Sequence, residues 1–372
     1  MTVPPATGHR RAWRARLAAY LHRQWQRRGW LACLLWPLAV VHGLVVRLRH
    51  LAYRRGWCRS ADAPVPVLVV GNILVGGSGK TPLLMALIPE LRALGWTPGV
   101  ISRGYGAQPF GATEAPRLGQ GQLDPDRFGD EPALIAGQTQ VPLAIHPRRH
   151  RAALALCAAH PEIDLLVADD GLQHLALGRQ LEVVVQDERG VGNGWLLPAG
   201  PLREPPSRLR HVAALVTNLA PDASPIATAP PGVRAVGMRL VPDLAVRLVD
   251  GARCSLAELA RQTPADRLAA VAAIGQPTRF FTTLRAAGLT PAKCRGLPDH
   301  DRLDAAAFAG LDADVILITD KDAVKCQELH DPRLWRVPVH AHFTDPGFVA
   351  WLSQRLQAFL PNSSSRHGSS TA

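Results

Sequence analysis

Lysine is scarce in this sequence, which has 38 arginines among its 372 residues but only four lysines, Lys80, Lys293, Lys321 and Lys325. Metal-binding patterns are missing too, because the six cysteines form no CxxC pair and the 14 histidines form no HExxH motif. Scattered cysteines of this kind indicate a reducing compartment and argue against a structural metal site. Because lysine is so rare, a lysine inside a glycine-rich loop carries particular weight.

Acidic residues are missing from the first 60 positions, which contain twelve arginines. The whole chain has a formal net charge of +12, whereas residues 61–372 contain as many acidic as basic residues. The positive charge therefore belongs to one segment and not to the body of the protein. A neutral body argues against nucleic acid as a partner and leaves open what the basic segment contacts.

The basic segment also contains a long apolar run. Large apolar residues first recur every four positions, at Trp13, Leu17, Leu21 and Trp25. This spacing predicts one face of a helix. The run Trp30–Val46 follows, with His42 as its one polar residue; its 17 residues fall short of the roughly 20 that span a bilayer.

For residues 1–60 we expect a basic amphipathic helix that lies in a membrane surface, because arginines flank the apolar run on both sides. A membrane-spanning anchor and a core or partner helix are the alternatives. A cleaved signal peptide is disfavoured, because no small-residue cleavage site follows the run.

The stretch 65–82 combines an apolar strand, a glycine-rich loop and the start of a helix, which is the layout of a phosphate-binding loop. The loop consists of Gly76, Gly77, Ser78, Gly79, Lys80 and Thr81. Its backbone N–H groups are expected to bind phosphates, with Lys80 reaching the β- and γ-phosphates and Thr81 holding Mg²⁺. One departure is Leu74, which stands where the standard spacing has glycine.

Two pairs of acidic residues lie downstream of this loop. The apolar strand Ile163–Ala168 runs into Asp169 and Asp170, and this arrangement predicts Mg²⁺ binding beside a phosphate-binding loop. Asp130 and Glu131 begin an apolar helix, where helix capping is the alternative to a functional role.

Two arginines are candidates for contact with phosphate or substrate. Arg103 follows the predicted strand Thr97–Ser102, and ligands of open α/β sheets lie beyond the carboxyl ends of strands. A simple turn is the alternative there. Arg203 lies in the Pro/Gly-rich loop 190–206, which has the composition of a substrate or hinge element.

Strands alternate with helices along the chain, which predicts a parallel α/β fold. A proline-rich break near residues 205–232 suggests two lobes with a cleft. We therefore expect a membrane-associated segment at 1–60, a phosphate-binding lobe at 61–210 and a smaller α/β lobe at 211–350. A closing helix and tail occupy 351–372. Residues 233–240 and 244–249 are expected to form a two-stranded ribbon, and residues 336–342 one late strand.

Seven motifs occur together and in order, and their set resembles the tetraacyldisaccharide 4′-kinase (lipid A 4′-kinase) family over about residues 30–350. They are GN…VGGSGKTP from Gly71, SRGYG from Ser102, GDEP from Gly129, DDGLQH from Asp169, GPLRE from Gly200, PDH from Pro298 and DKDAVK from Asp320. The resemblance implies two α/β lobes, an N-terminal membrane-associated helix, ATP and Mg²⁺. It also implies phosphorylation of the 4′-hydroxyl of a tetraacylated glucosamine disaccharide 1-phosphate.

The resemblance further implies roles for individual residues and partners. Asp130 is expected to act as the base for the sugar hydroxyl with support from His300, while Glu131 joins Thr81, Asp169 and Asp170 as a candidate metal ligand. The expected partners are the acylated disaccharide lipid and the cytoplasmic face of the inner membrane, with no nucleic acid and no obligate protein partner. The main alternative is a membrane-associated P-loop regulatory NTPase, although no NKxD guanine signal is present.

Overall fold

The structure is a computed structural model, and it describes residues 24, 25, 27–224, 227–299, 301 and 303–360. Three parts of the sequence-based predictions therefore lie outside the described residues: most of the helical face predicted before Trp25, His300, and the tail beyond residue 360.

The described residues contain both the strands and the helices of an α/β protein. The strands are β1 (Val67–Gly71), β2 (Pro98–Ser102), β3 (Arg117–Gly119), β4 (Leu143–Ile145), β5 (Leu165–Asp169), β6 (Leu181–Asp187), β7 (Ala214–Leu219), β8 (Arg234–Val241), β9 (Leu244–Arg247), β10 (Arg253–Ser255), β11 (Leu268–Ala272), β12 (Lys293–Gly296), β13 (Val315–Thr319), β14 (Leu334–Val337) and β15 (His340–Phe343). The α-helices are α1 (Trp30–Arg54), α2 (Lys80–Ala93), α3 (Pro125–Phe128), α4 (Asp130–Thr139), α5 (Arg149–Ala159), α6 (Leu256–Gln262), α7 (Pro277–Ala286), α8 (Ala305–Phe308), α9 (Asp320–Ala323) and α10 (Phe348–Gln357). Short 3₁₀ helices cover Pro206–His211, Ala265–Arg267 and Val324–Cys326.

The larger sheet has nine strands in the order β15-β8-β7-β6-β1-β5-β2-β4-β3. Its seven central strands run parallel, and the two edge strands β15 and β3 are antiparallel to their neighbours. Strands β1, β2 and β5 are buried at every position, because helices and loops cover both faces of the sheet. This confirms the predicted parallel α/β fold.

Helices on opposite faces supply the two halves of the core around this sheet. On one face α2, α4 and α10 bury side chains such as Leu87, Ile135 and Leu352 against the strands. On the other face α5 contributes Leu156, together with the loops around Leu172 and Leu202. The carboxyl ends of β1, β2 and β5 therefore meet at one edge, where ligands of such sheets bind.

The smaller sheet has six strands in the order β10-β9-β14-β13-β11-β12. Strands β14, β13, β11 and β12 are parallel, and β9 and β10 add antiparallel strands at one side. Helices α6 and α7 cover one face, with Phe281 and Leu284 buried. Residues that precede and follow β13 in the chain cover the other face, with Phe308, Leu311 and Cys326 buried.

Two strand predictions are wrong. Residues 233–240 and 244–249 do not form a ribbon, because β8 pairs with β7 and β15 in the larger sheet while β9 pairs with β10 and β14 in the smaller one. Residues 336–342 are not one strand, since β14 and β15 belong to different sheets. Pro242 and Pro338 stand at the two crossings, where proline cannot donate the hydrogen bond that would continue a ladder.

Sheet membership also differs from the expected division at residue 210. Strands β7, β8 and β15 are hydrogen-bonded into the larger sheet, so the smaller sheet lies entirely between residues 244 and 337. The proline-rich stretch 205–232 contains β7 and leads into β8, so it belongs to the larger sheet. That the two sheets are the cores of separate domains stays a prediction.

Helix α1 is longer than the apolar run, because the helix continues through Arg54 to a length of 25 residues. It is the one helix in the described part of the chain that is long and apolar enough to cross a membrane. Ala32, Ala39 and Gly43 are buried on one side, whereas Leu38 and Val41 are more than half exposed. Such an exposed apolar face is not that of a core helix.

Candidate active site

The phosphate-binding loop connects β1 to α2 and is braced from within. Asn72 Nδ2 donates hydrogen bonds to Ser78 Oγ at 3.0 Å and to the carbonyl oxygen of Gly76 at 3.2 Å. Gly79, the residue before α2, has φ = 99°, which is the left-handed region that favours glycine. A Cβ atom there would also lie 2.5 Å from Asn218 Nδ2. The loop is therefore shaped with its N–H groups at the start of a helix, as anion binding requires.

Leu74 is buried, which explains why this position is not a glycine. It forms an antiparallel bridge with Leu202, and Val75 N donates to the carbonyl oxygen of Pro201 at 2.9 Å. Arg203 N donates in turn to the carbonyl oxygen of Ile73 at 2.7 Å. These bonds hold the Pro/Gly-rich loop 190–206 against the phosphate-binding loop.

Lys80 lies among groups that orient its ammonium. Its Nζ is 3.3 Å from Asp170 Oδ1 and 3.4 Å from Asn72 Oδ1. Arg203 Nη1 lies 3.1 Å from the other oxygen, Oδ2, of the same carboxylate. Burial raises the pKa of Asp170, but Lys80 and Arg203 outweigh it and lower this pKa to about 2. Asp170 therefore stays ionised at the mouth of the loop.

Asp169 ends β5, the strand beside β1, and is almost fully buried. Its Oδ2 accepts a hydrogen bond from Ser102 Oγ at 3.2 Å, whereas its Oδ1 has no hydrogen-bond partner in the part of the chain that the structure describes. Burial, together with the nearby Glu131 and Asp170, raises the pKa of Asp169 to about 7. A buried carboxylate oxygen without a donor is an unfavourable arrangement that a bound cation corrects.

These residues fit Mg²⁺ as part of a nucleotide complex. Among the described residues, no group of three or more His, Cys, Asp or Glu side chains is arranged to hold a metal ion. Mg²⁺ does not need such a group, since it is usually bound by one or two carboxylates together with phosphate oxygens and water. Asp169 with its free oxygen and the hydroxyl of Thr81 are the donors that such a site would use.

The acidic pair at the start of α4 contacts lysines from the smaller sheet. Lys321 Nζ lies 2.8 Å from Glu131 Oε1, and Lys325 Nζ lies 3.4 Å from Asp130 Oδ2. Helix α4 has no side-chain cap hydrogen bond, because Gly129 is its N-cap. The two acids therefore do more than begin a helix: they are ion-paired across the cleft.

The smaller sheet also approaches the phosphate-binding loop through its backbone. Gly275 follows β11, and a Cβ atom on it would lie 2.8 Å from the backbone nitrogen of Gly77. Only a residue without a side chain allows this distance. The cleft is thus bounded by the loop on one side and by the β11–α7 turn on the other.

Most of the predicted site residues lie along this one cleft, namely Lys80, Thr81, Asp130, Glu131, Asp169, Asp170 and Arg203 with the glycines of the loop. Arg103 is exposed, and among the described residues it has no hydrogen bond or ion pair. The prediction for His300 lies outside the described residues.

Several residues at the cleft were not assigned a role from the sequence. They are Asn72, Ser102, Asn218, Asp299, Lys321 and Lys325. One signal could have pointed to Lys321 and Lys325, which is the scarcity of lysine: three of the four lysines face this cleft.

Comparison with known proteins gives consistent similarities over nearly the whole chain. A family model described as Tetraacyldisaccharide-1-P 4′-kinase matches residues 31–357. Proteins named tetraacyldisaccharide 4′-kinase are 55% identical in Bordetella parapertussis, over 93% of this chain and 98% of that protein, and 45% identical in Herminiimonas arsenicoxydans, over 92% and 97%.

A solved structure shares the fold. It is that of LpxK from Aquifex aeolicus, described as a complex with ATP, and it is 23% identical with a TM-score of 0.73. The match covers 88% of this chain and 99% of the other.

Proposed function

Because this chain belongs to the tetraacyldisaccharide 4′-kinase family, we propose that its cleft transfers the γ-phosphate of ATP to the 4′-hydroxyl of a tetraacylated glucosamine disaccharide 1-phosphate. The chain is thus an ATP-dependent kinase of lipid A biosynthesis. The observation that carries the assignment of the site is the meeting of Lys80, Asp169 and Asp170 at the ends of two adjacent parallel strands, with Asp130 facing the same cleft.

Phosphoryl transfer depends mainly on positioning and on neutralising charge. The N–H groups of residues 76–81 and the Lys80 ammonium would hold the phosphates. Lys80 now lies between Asp170 and Asn72, and a small rotation of its flexible stem would bring it to a phosphate oxygen. When bound, Mg²⁺ neutralises phosphate charge, and Thr81, Asp169 and Asp170 would hold it, with Glu131 as a further ligand.

The acceptor side is assigned to Asp130. A sugar hydroxyl is a very weak acid, so a carboxylate assists mainly by orienting the hydroxyl and taking its proton late in the transfer. His300 is assigned to support Asp130. Arg103 and Arg203 are assigned to substrate or phosphate contact; Arg203 already holds Asp170, and the exposed Arg103 is free to reach a ligand.

The lipid acceptor explains the outer face of α1. Four acyl chains keep such a lipid in a bilayer, so the kinase must work at the membrane surface. The exposed apolar residues of α1 and the arginines of residues 1–60 supply both apolar insertion and attraction to anionic headgroups. We assign the protein to the cytoplasmic face of the inner membrane, as a peripheral or monotopic enzyme that needs no protein partner or nucleic acid.

The test is phosphate transfer from γ-labelled ATP to the purified disaccharide lipid, with thin-layer separation. We expect labelled lipid with the full-length protein, and a label that survives the mild acid hydrolysis that removes an anomeric phosphate. Lys80→Ala and Asp130→Ala should abolish labelling while melting at the wild-type temperature.

Two outcomes would contradict the proposal. ATP hydrolysis without labelled lipid would favour a regulatory NTPase. Near-normal transfer by Asp130→Ala would remove Asp130 from the role of base while leaving the activity itself in place.

A further inference from the structure

The segment Asp320–Lys325 is a second-lobe motif to which the proposed mechanism assigns no role. It follows β13, a central strand of the smaller sheet, and begins with α9, whose N-cap Thr319 accepts a hydrogen bond from Asp322 N. Asp322 is completely buried, and its Oδ2 accepts bonds from Ala273 N at 3.0 Å and from Thr319 Oγ1 at 2.7 Å. The smaller sheet thus fixes this segment rigidly before it reaches the cleft.

Both lysines of the segment are held by their own lobe and point at the other lobe. Lys325 Nζ lies 3.6 Å from Asp322 Oδ1 and 3.4 Å from Asp130 Oδ2. Lys321 Nζ lies 3.3 Å from Asp299 Oδ1 and 2.8 Å from Glu131 Oε1. The side chains of Lys325 and Lys321 are only 10% and 15% exposed, so these ion pairs are shielded from the screening that weakens surface pairs.

A third bond ties the same elements together. Gln138 Nε2, on α4, donates to Asp320 Oδ2 at 3.4 Å, and Arg336 Nη1 donates to Asp320 Oδ1 at 2.8 Å. Helix α4 is therefore attached to the smaller sheet at its first turn and again two turns later. The direction of the Asp130 carboxylate depends on the second lobe as well as on α4 itself.

We propose that Lys321 and Lys325 are positioning residues through which the smaller lobe aims Glu131 and Asp130 into the kinase site. Through its contact with Oδ2, Lys325 orients the Asp130 carboxylate toward the acceptor hydroxyl. Through its contact with Oε1, Lys321 orients Glu131 toward the proposed Mg²⁺ position. This inference rests on the proposed kinase function. It means that the Asp130 carboxylate is oriented for catalysis only when the smaller sheet is in its place against α4.

The test is a double-mutant cycle on kcat for lipid phosphorylation, with wild type, Lys325→Met, Asp130→Asn and the double variant. Assays at high enzyme concentration and long incubation quantify the slow residual transfer of the two Asp130→Asn proteins. Methionine keeps the length of the side chain and removes its charge. We expect Lys325→Met to lower kcat by about 10²-fold, as for a misplaced catalytic group, with the KM for ATP unchanged. The double variant should be no slower than Asp130→Asn alone, because Lys325 acts only through Asp130.

Lys293→Met is the matched control, since Lys293 belongs to the same lobe and donates to the carbonyl oxygen of Asp312 outside the cleft. It should keep the wild-type kcat. A Lys325→Met variant with wild-type kcat, or a double variant slowed by the product of the two single effects, would overturn the proposal.

Two further measurements distinguish a failure of this inference from an unfolded variant and from a failure of the proposed function. If Lys325→Met melts below the assay temperature, the same cycle with Lys321→Met and Glu131→Gln decides the question, and additive effects there overturn the proposal. If the wild-type protein labels no lipid, the proposed function fails, whereas an active wild type with an unaffected Lys325→Met removes only this inference.

Discussion

Three of the four lysines each contact a carboxylate at the cleft, although arginine is the usual basic residue of this chain. Lys80 contacts Asp170, while Lys321 and Lys325 contact Glu131 and Asp130. The ammonium is a compact charge on a flexible stem, whereas guanidinium is a broad planar fork. A compact charge suits places where one basic group must lie between oxygens of two different side chains inside a crowded cleft.

Asp169 provides a test of the proposed Mg²⁺ site that does not depend on turnover. With the wild-type protein, we expect ATP and Mg²⁺ together to raise the melting temperature, since ligand at about 100 times its Kd stabilises by about 2.7 kcal/mol. Asp169→Asn keeps the hydrogen bond from Ser102 possible but removes the charge, so Mg²⁺ should add little to the effect of ATP alone. Differential scanning calorimetry with and without Mg²⁺ measures this.

The exposed Asp243 offers a control for the same experiment, because it lies at a crossing between the sheets and its side chain is 61% exposed. Asp243→Asn should keep the full Mg²⁺-dependent rise. If Asp169→Asn keeps that rise as well, the carboxylate does not hold the metal.

Helix α1 contacts the loop that lies beside the phosphate-binding loop. His42 Nδ1 lies 3.0 Å from the carbonyl oxygen of Leu197, and His50 Nε2 lies 3.1 Å from Glu204 Oε2. Both partners belong to the loop 190–206 that is hydrogen-bonded to the phosphate-binding loop. The helix therefore has one face against the loop that carries Arg203, and its opposite face is apolar and exposed.

Glu204 connects α1 to the loop 190–206 through His50. Its contribution to the stability of the fold depends on pH. Burial raises the pKa of Glu204, but hydrogen bonds from His50 and Gln173 and the charge of Arg208 lower it on balance. A lowered carboxyl pKa stabilises the fold above the unfolded value of about 4.3, and this stabilisation is lost as the pH falls.

Glu204→Gln should therefore lower the free energy of unfolding at neutral pH by about 1–3 kcal/mol, the cost of disturbing a buried charged hydrogen bond. The difference from wild type should narrow as the pH falls below the unfolded value of about 4.3, because the wild-type carboxylate then protonates. Urea unfolding at a series of pH values measures the difference. A difference that stays constant or widens on acidification would contradict this account.

The outward face of α1 can be tested without disturbing its docked face. Leu38 and Val45 are 58% and 56% exposed, and glutamate at both positions would place charges in the apolar layer of a membrane. The double variant Leu38→Glu/Val45→Glu should move from the membrane fraction to the soluble fraction, while phosphorylation of detergent-dispersed lipid continues.

Val249→Glu is a matched change on the smaller lobe, where Val249 is 51% exposed, and it should leave sedimentation unchanged. If the α1 variant still sediments fully with membranes, another surface is the anchor.

The two sheets form one site because the chain crosses between them twice and because they come into close contact at the cleft. The crossings are at residues 241–244 and 337–340, so the smaller sheet is inserted into the larger one. Gly275 and the Lys321–Lys325 segment then face the phosphate-binding loop and α4. A movement of the smaller sheet toward the larger one would therefore act on the phosphate-binding loop and on α4 at once.

Gly275→Ala should disturb this approach directly. The added Cβ would press on the Gly77 nitrogen, and this backbone atom moves only with the phosphate-binding loop or with the lobe. We expect a higher KM for ATP and a kcat lowered by up to about 10²-fold, measured by initial rates of lipid labelling. Gly347→Ala, where the nearest atom is a side-chain oxygen 3.5 Å away, should behave as wild type; equal behaviour of the two variants would show that the lobes do not need this contact.

Local features of the fold and site could be read from the sequence because they depend on short-range chemistry. The phosphate-binding loop, the strand ending in Asp169 and Asp170, and the helix beginning at Asp130 each follow from the periodicity and turn residues of a dozen positions. The apolar run ends at Val46, whereas α1 continues to Arg54, because a helix can include polar residues beyond its apolar stretch.

Pairing between distant segments was decided only in the tertiary structure. Strands β8 and β9 pair with β15 and β14, which lie about 90 to 100 positions further along the chain. The hydrophobic pattern of β8 and β9 fits pairing with each other equally well, so the sequence could not decide between the two pairings. The sequence shows Leu74 only as a departure from the standard spacing of the loop, and its bridge to Leu202 in the folded protein explains it. The composition alone showed that lysine is rare and that each lysine is therefore informative. Only the approach of the smaller sheet to α4 placed Lys321 and Lys325 against Glu131 and Asp130. The physical reason is that a charge interacts with the groups nearest to it in space, which need not be its neighbours along the chain.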